Sequence, residues 1–181
     1  MSVVAARVYK DKVVMAADSI IVKGWSKRNS NFTKIAEING MILGSTGSAE
    51  EVSLMWHYME THQPASATEK DVLAFVIEFA QWKQNMVGNN HIENSYLFVY
   101  QGHLFEIEKM LVFEIEDFTA VGAGEDFANA ALYLGHDPKD AVKVACELSC
   151  FVSEPIVEFS MKKKKEQKYD HKHSQGLANI L

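Results

Sequence analysis

The order of strand-like and helix-like segments is the feature that most constrains the fold of this 181-residue chain. Strand-like runs come first, and two helical patterns, a second set of strands, two more helical patterns and a final strand follow. Runs of strands that alternate with runs of helices favour an α+β architecture with antiparallel sheets. Two sheets packed face to face, each covered outside by a helix pair, would bury every amphipathic element, which predicts a four-layer αββα sandwich.

Turn sequences indicate which strands are neighbours. The strand-like runs cover residues 3–9, 13–17, 34–38, 41–45, 96–100, 103–107, 111–115, 118–121 and 156–161. The dipeptide Asn39-Gly40 is a strong signal for a two-residue β-hairpin, and Gln101-Gly102 occupies the same position between two later strands. The polar residues 23–31 are predicted to form a loop.

The helical patterns begin at residue 48, near residue 66 or 68, at residue 126 and at residue 137. At the first of them, Ser48 and Glu51 have the spacing of a capping box, in which each side chain bonds the other's backbone N–H group. The last helix is predicted to extend to about Phe151. Its spacing would place Cys146 and Cys150 on one face, which indicates packing, because no metal motif surrounds them.

Composition narrows the range of functions. The formal net charge of −6 argues against a nucleic-acid partner, because phosphate binding normally needs a basic excess. No apolar run has membrane-spanning length, and no signal peptide is recognisable at the start. With only two cysteines, the chain is expected to be a soluble cytoplasmic protein.

Residues 1–161 are predicted to form one domain and residues 162–181 a charged tail. The tail opens on four consecutive lysines, Lys162–Lys165, and such like-charge blocks are typical of solvated or disordered ends. His171 and His173 are compatible with weak metal binding, although a solvated tail is the favoured interpretation.

Ser2 is a candidate nucleophile. Removal of Met1, which aminopeptidases carry out when a small residue follows, would leave a free N-terminal serine. Its α-amine, with a reference pKa of about 8, can then act as the base for its own hydroxyl group.

Residues 2–5, 13–18, 34–39 and 43–48 resemble the β-type subunits of proteasomes and their bacterial HslV-type relatives, which are N-terminal nucleophile hydrolases. Residues 120–124 and the pair Cys146-Glu147 resemble later motifs of that family more weakly. The resemblance spans residues 2–161 and also implies the αββα sandwich.

The resemblance assigns chemical roles residue by residue. Ser2 corresponds to the nucleophile, and Lys34 to the lysine that lowers the pKa of the amine and the hydroxyl group beside it. Asp18 would hold Lys34 charged in an ion pair. The backbone N–H group of Gly47 would bind the oxyanion of the tetrahedral intermediate.

Two positions depart from the active members of the family. Glu147 stands where they have aspartate, and it would reach the same groups with one more methylene. Ala123 stands where they have a serine that helps to handle the amine, and alanine has no hydroxyl group to replace it.

The resemblance implies hydrolysis of peptides or unfolded proteins in a homo-oligomeric double ring, without metal or organic cofactor and with an ATPase unfoldase as a candidate partner. One alternative is a non-catalytic ring or scaffold subunit with the same fold, and another is a small-amide hydrolase of the wider superfamily. Part of the first helix is expected to lie between subunits, because it has more apolar residues than one stripe requires, namely Leu54, Met55, Trp56, Tyr58 and Met59.

Overall fold

The computed structural model describes residues 2–23, 26–28 and 32–163. In these ranges the strands are β1 (Val4–Val8), β2 (Lys12–Asp18), β3 (Ile21–Lys23), β4 (Ser26–Arg28), β5 (Ile35–Ile38), β6 (Met41–Thr46), β7 (Ser95–Tyr100), β8 (His103–Glu108), β9 (Leu111–Ile115), β10 (Phe118–Val121) and β11 (Ile156–Lys162). The helices are α1 (Ala49–Met59), α2 (Glu69–Val87), α3 (Glu125–Tyr133) and α4 (Pro138–Leu148). None of these helices is long and apolar enough to cross a membrane.

Two antiparallel sheets form the centre of the molecule. One has the strand order β10-β1-β2-β11 and the other the order β5-β6-β7-β8-β9. Three apolar clusters separate the layers: one lies between α1, α2 and the five-stranded sheet, one between the two sheets, and one between the four-stranded sheet and α3 with α4. The predicted α+β, four-layer αββα sandwich is confirmed.

The two sheets approach each other closely near the start of β1. A Cβ atom at Gly44 of β6 would lie 2.5 Å from Cγ1 of Val4 and 2.6 Å from the Met15 sulfur. Both separations are too short for real contacts, so the inter-sheet distance at this point requires glycine. The N-terminal segment and the end of β6 are therefore packed against each other.

The predicted hairpin turns are confirmed in detail. Asn39 and Gly40 have φ angles of 50° and 71°, and Gln101 and Gly102 have 51° and 87°. Two consecutive positive φ angles are the signature of the type I′ turn, whose twist matches that of the strands it joins.

The capping box prediction is wrong in its hydrogen bonds. Ser48 is the N-cap of α1, but its side chain makes no capping bond. The Glu51 carboxylate turns inward and accepts bonds from the backbone N–H groups of Glu93 and Asn94. These long-range donors satisfy the carboxylate in the interior, where the N-cap N–H group does not reach it.

The apolar residues of α1 pack in the core of the subunit, so their number gives no separate support for a subunit surface there, which stays a prediction. Met55, Tyr58 and Met59 are buried in the outer core, and Leu54 and Trp56 pack against the same cluster. The α1 helix lies over a wide sheet, so more than one stripe of its surface is covered.

Element ends differ from the sequence predictions in three places. β4 lies inside residues 23–31, which are predicted to be a loop, and it pairs with β3, which overlaps that segment only at Lys23. α4 ends at Leu148, which leaves Cys150 beyond the helix and exposed. β11 includes Lys162, the first residue of the predicted tail. Residues 164–181, with the rest of that tail, and Met1 lie outside the described residues.

Candidate active site

Ser2 lies two residues before the start of β1, the strand between β10 and β2 in the four-stranded sheet. The residue is buried, with 5% of its surface exposed, and its carbonyl accepts a hydrogen bond of 3.3 Å from the backbone N–H group of Gly124. A Cβ atom at Gly122, whose φ angle is +102°, would lie 2.5 Å from the same carbonyl oxygen. Glycine at position 122 thus allows the end of β10 to contact the Ser2 backbone closely.

Asp18, at the end of β2, is completely buried. Its Oδ1 accepts a bond of 2.9 Å from the Val3 N–H group, and its Oδ2 accepts one of 3.3 Å from the Ile20 N–H group. The Nζ of Lys34 donates to both carboxylate oxygens, at 2.8 and 2.7 Å. One carboxylate therefore fixes both the residue that follows Ser2 and the lysine, and the predicted ion pair is present.

Lys34 lies just before β5 and is buried, with 6% of its surface exposed. Burial lowers the pKa of Lys34, because the ammonium form loses hydration, and the Asp18 carboxylate opposes that shift. The Lys34 carbonyl accepts the Ser45 N–H group at 2.9 Å, which ties its backbone to β6.

Ser2, Lys34 and Gly47 meet at one cavity of about 140 Å³. The complete lining is Ser2, Ile20, Ile21, Phe32, Lys34, Ser45, Gly47, Ala49 and Val52. Asp18 lies behind this wall, bonded to Lys34. The cavity therefore combines a hydroxyl group, an ammonium group and a glycine backbone with an apolar side, a set suited to attack on a carbonyl group.

The structure does not bring Glu147 to this cavity. Glu147 is exposed on α4 and is absent from the lining, so its catalytic role stays a prediction. The half-buried Cys146 next to it interacts electrostatically with Lys34 and Asp18. Burial raises the pKa of Cys146 to about 11, and the nearby Asp18 carboxylate adds to the increase. Successive helical residues point about 100° apart, so only one of the two can face the sheet.

Ala123, the second departure, is an exposed residue between Gly122 and Gly124. Both glycines contact the Ser2 carbonyl in the ways described above. The backbone of this segment thus reaches Ser2, while position 123 supplies no hydroxyl group.

Sequence reasoning missed a second buried polar cluster beside Gly47. It consists of Glu51, Lys83, Asn94 and Tyr96, all buried. Lys83 could have indicated this cluster, because it is a charged residue at a position where the helical spacing of α2 predicts a buried apolar one. A lysine on the inner face of a helix requires a buried partner, which here is Glu51.

Comparison with solved structures identifies the fold. Thiobacillus denitrificans BPH in complex with epoxomicin superimposes with a TM-score of 0.81 at 19% identity, over 90% of this chain and 99% of that one. A second structure of Thiobacillus denitrificans BPH gives the same TM-score at 18% identity, over 91% of this chain and all of that one. Eukaryotic HslV from Trypanosoma brucei gives 0.67 at 20% identity, over 88% of this chain and 99% of that one.

No protein-family model matches the sequence, and no curated protein sequence matches it significantly. The TM-scores over about nine-tenths of the chain show a shared three-dimensional fold, although the identities are only 18–20%. The chain therefore has the HslV-like fold of these solved structures.

Proposed function

We propose that this chain is a peptidase subunit that hydrolyses peptide bonds with Ser2 as an N-terminal nucleophile, exposed when Met1 is removed. The observation that carries the proposal is the meeting of Ser2, Lys34 and Gly47 at one cavity, with Asp18 bonded to Lys34 behind it. The HslV-like fold supports a peptidase-type subunit, and these residues supply the chemistry.

In the proposed reaction, the Ser2 Oγ attacks the carbonyl carbon of the substrate while its proton passes through a water molecule to the α-amine. The oxyanion accepts a hydrogen bond from the Gly47 N–H group, an interaction worth about 3 kcal/mol in comparable sites. Collapse breaks the C–N bond, and the proton goes to the leaving amine. Water then attacks the acyl-enzyme ester by the same route and regenerates Ser2.

Lys34 has two electrostatic effects in this scheme. Its positive charge disfavours protonation of the nearby α-amine, which keeps the base available, and it stabilises negative charge on the Ser2 oxygen. Asp18 maintains the position of Lys34, since both carboxylate oxygens accept from Nζ. Asp18 acts as a positioning residue because it touches Lys34 and the Val3 N–H group.

The apolar side of the cavity suggests which substrate side chain precedes the cleaved bond. It is formed by Ile20, Ile21, Phe32, Ala49 and Val52. We expect a preference for peptides or unfolded segments with a medium-sized apolar residue at this position, because burying that side chain contributes about 25 cal/mol per Å² of apolar area.

The proposed assembly is a homo-oligomeric double ring with Ser2 facing an inner chamber, to which an ATPase unfoldase would supply substrate. Supporting it, exposed large apolar residues occur at the ends of α2, α3 and α4, namely Met86, Val87, Tyr133, Leu134, Leu148 and Phe151. Tyr133 and Leu134 are 80% and 76% exposed, as expected for residues that contact another subunit. A monomer by light scattering at micromolar concentration would contradict the ring and would favour a small-amide substrate.

The second candidate is a non-catalytic subunit of the same fold. Two observations favour it: Ala123 lacks a hydroxyl group, and Glu147 is exposed. A chain whose Met1 is retained would also fit this candidate, because its Ser2 amine would be acylated.

One set of measurements separates the candidates. Intact mass and N-terminal sequencing of the purified protein show whether residue 1 is Met or Ser. Hydrolysis is then measured with fluorogenic peptides and with simple amides, for the unchanged protein, Ser2→Ala and the control Ser53→Ala, a serine on the exposed side of α1. Epoxomicin, which is bound in one of the Thiobacillus denitrificans structures, serves as an added probe.

We expect a mature N-terminal serine, peptide hydrolysis and epoxomicin binding, with hydrolysis lost in Ser2→Ala and kept in Ser53→Ala. Hydrolysis by Ser2→Ala would exclude the mechanism. Absence of hydrolysis in mature, correctly assembled protein would support the non-catalytic candidate.

A further inference from the structure

The side chain of Asn94 clamps the residue that follows Gly47. Asn94 lies just before β7 and is 1% exposed. Its Oδ1 accepts a hydrogen bond of 2.6 Å from the Ser48 N–H group, and its Nδ2 donates one of 2.9 Å to the Ser48 carbonyl. The oxygen and the nitrogen of the side-chain amide thus both bond the backbone of Ser48, in the turn that joins β6 to α1.

The same amide restricts position 47 to glycine. Gly47 has a φ angle of +123°, and a Cβ atom built on it would lie 2.2 Å from the Asn94 Oδ1. Backbone conformation and available space therefore both exclude a side chain at this position. The turn of Gly47 and Ser48 is folded against Asn94, and its shape depends on where that amide lies.

Asn94 is held in turn by a buried charge. The Glu51 Oε1 accepts the Asn94 N–H group at 3.0 Å and the Tyr96 hydroxyl group at 2.8 Å. The other carboxylate oxygen accepts Lys83 Nζ at 2.5 Å, and the pair is almost fully buried. A carboxylate bonded by this many donors has one available position, so it places the Asn94 backbone accurately.

We propose that Asn94 is a positioning residue for peptide hydrolysis, which holds the Gly47 N–H group in the orientation that binds the oxyanion. The inference rests on the proposed function of the cavity. It gives a positioning role to Asn94, which is not one of the residues that line the cavity. An oxyanion donor is effective only when it is oriented before the reaction, and a displacement of less than 1 Å is enough to weaken it.

The kinetic test compares Asn94→Ala with Asn129→Ala. Asn129 is a matched control, because its side-chain amide also bonds a backbone carbonyl, that of Ala120, which lies outside the turn of Gly47 and Ser48. For Asn94→Ala we expect kcat to fall at least tenfold with KM changed less than twofold, since the lost interaction forms only in the transition state. Asn129→Ala should change neither constant by more than twofold. An unchanged kcat in folded Asn94→Ala would overturn the proposal.

Asn94→Asp provides a variant of nearly the same shape if Asn94→Ala folds poorly. Its ionised carboxylate accepts from the Ser48 N–H group but cannot donate to the Ser48 carbonyl, whereas the protonated acid can do both. The kcat of Asn94→Asp relative to the unchanged protein should therefore rise as the pH falls. A ratio that is independent of pH, or equal to one throughout, would contradict a positioning role.

Amide hydrogen exchange tests the clamp without any substrate. The Ser48 amide should exchange at least tenfold faster in Asn94→Ala than in the unchanged protein, while the amides of β1 keep their protection. Equal protection of Ser48 in the two proteins would overturn the inference even if peptidase activity is established. Loss of protection in a protein that hydrolyses no peptide would show that the clamp exists and that the proposed function has failed.

Discussion

Among the described residues, two buried lysine–carboxylate pairs lie near the Gly47 turn, and they have different surroundings. Lys34 and Asp18 are joined at 2.7 Å, and the lysine forms part of a cavity wall together with Ser2. Lys83 and Glu51 are joined at 2.5 Å, and the carboxylate also accepts bonds from Glu93, Asn94 and Tyr96.

The dominant cause of the pKa shift differs between Lys34 in the first pair and Glu51 in the second. In the first, burial lowers the pKa of Lys34. In the second, burial would raise the pKa of Glu51, but the hydrogen bonds from Lys83, Asn94 and Tyr96 outweigh it and the pKa is lowered. A charge beside a cavity can act on a substrate, whereas a carboxylate saturated by donors fixes the parts of the structure around it.

The largest expected difference between the pairs is in turnover. Lys34→Met should reduce kcat/KM at least 10³-fold, because it removes the charge that acts on the Ser2 amine and hydroxyl group. Lys83→Met makes the same change at a lysine of similar burial and should reduce kcat/KM less than tenfold in folded protein. Peptide hydrolysis and circular dichroism of both variants check this. Equal losses in the two would remove the distinction between a reactive and a structural pair.

The Glu51 cluster should contribute strongly to the stability of the fold. Glu51→Ala leaves Lys83 buried without its carboxylate and deprives three other donors, so the free energy of unfolding should fall by about 3–5 kcal/mol. Glu50→Ala is the neighbouring control, exposed on the first turn of α1, and should cost less than about 1 kcal/mol. Urea unfolding measures both values. A similar small cost for the two glutamates would mean that the Glu51 cluster contributes little to stability.

The acid dependence of stability should come partly from Glu51. Because its pKa is lowered in the folded chain, the unfolded chain takes up this proton first when the pH falls below the ordinary value of 4.5. The stabilisation is therefore complete above that pH and is lost as the pH falls through the lowered folded-state pKa. Melting temperatures between pH 6 and pH 3 should fall less steeply for Glu51→Gln than for Glu50→Gln. Parallel curves would exclude a lowered Glu51 pKa.

The smallest expected effect is that of Ser2→Thr. Threonine keeps the nucleophilic oxygen and adds a methyl group that restricts χ1, so the rate should be equal to or higher than that of the serine enzyme, within about tenfold. Steady-state hydrolysis of one apolar peptide is sufficient as a measurement. A loss of the size expected for Lys34→Met would indicate that the cavity cannot accommodate the methyl group.

Much of the fold was predictable because its signals are local. The hairpin at Asn39 and Gly40 follows from two residues that accept positive φ angles, and α2 begins after Thr68, one of the two predicted starts. The position of the end of α4 was not predictable from its apolar spacing. The chain becomes extended at Ser149, and seven residues later, at Ile156, β11 begins to pair with β2.

The candidate site was also predictable only in part. Ser2, Asp18, Lys34 and Gly47 were selected from motif order, and the structure places three of them at one cavity with Asp18 behind. Glu147 was selected by the same reasoning and lies exposed, because a motif position does not specify the direction of a helical side chain. The catalytic roles of all five remain predictions until the variants are measured.

The sequence by itself determined the alternation of strands and helices, the type I′ turns and the residues that can supply a nucleophile, a charge and a flexible backbone. Only the tertiary structure decided that the Glu51 carboxylate accepts the Asn94 N–H group and not that of the N-cap residue Ser48. It also decided that the Asn94 side chain bonds the turn at Gly47 and Ser48. The physical reason is the separation along the chain of the residues that interact. Turn type and helical periodicity depend on neighbouring residues, whereas these bonds join residues more than 40 positions apart and exist only when α1 is packed beside β6 and β7.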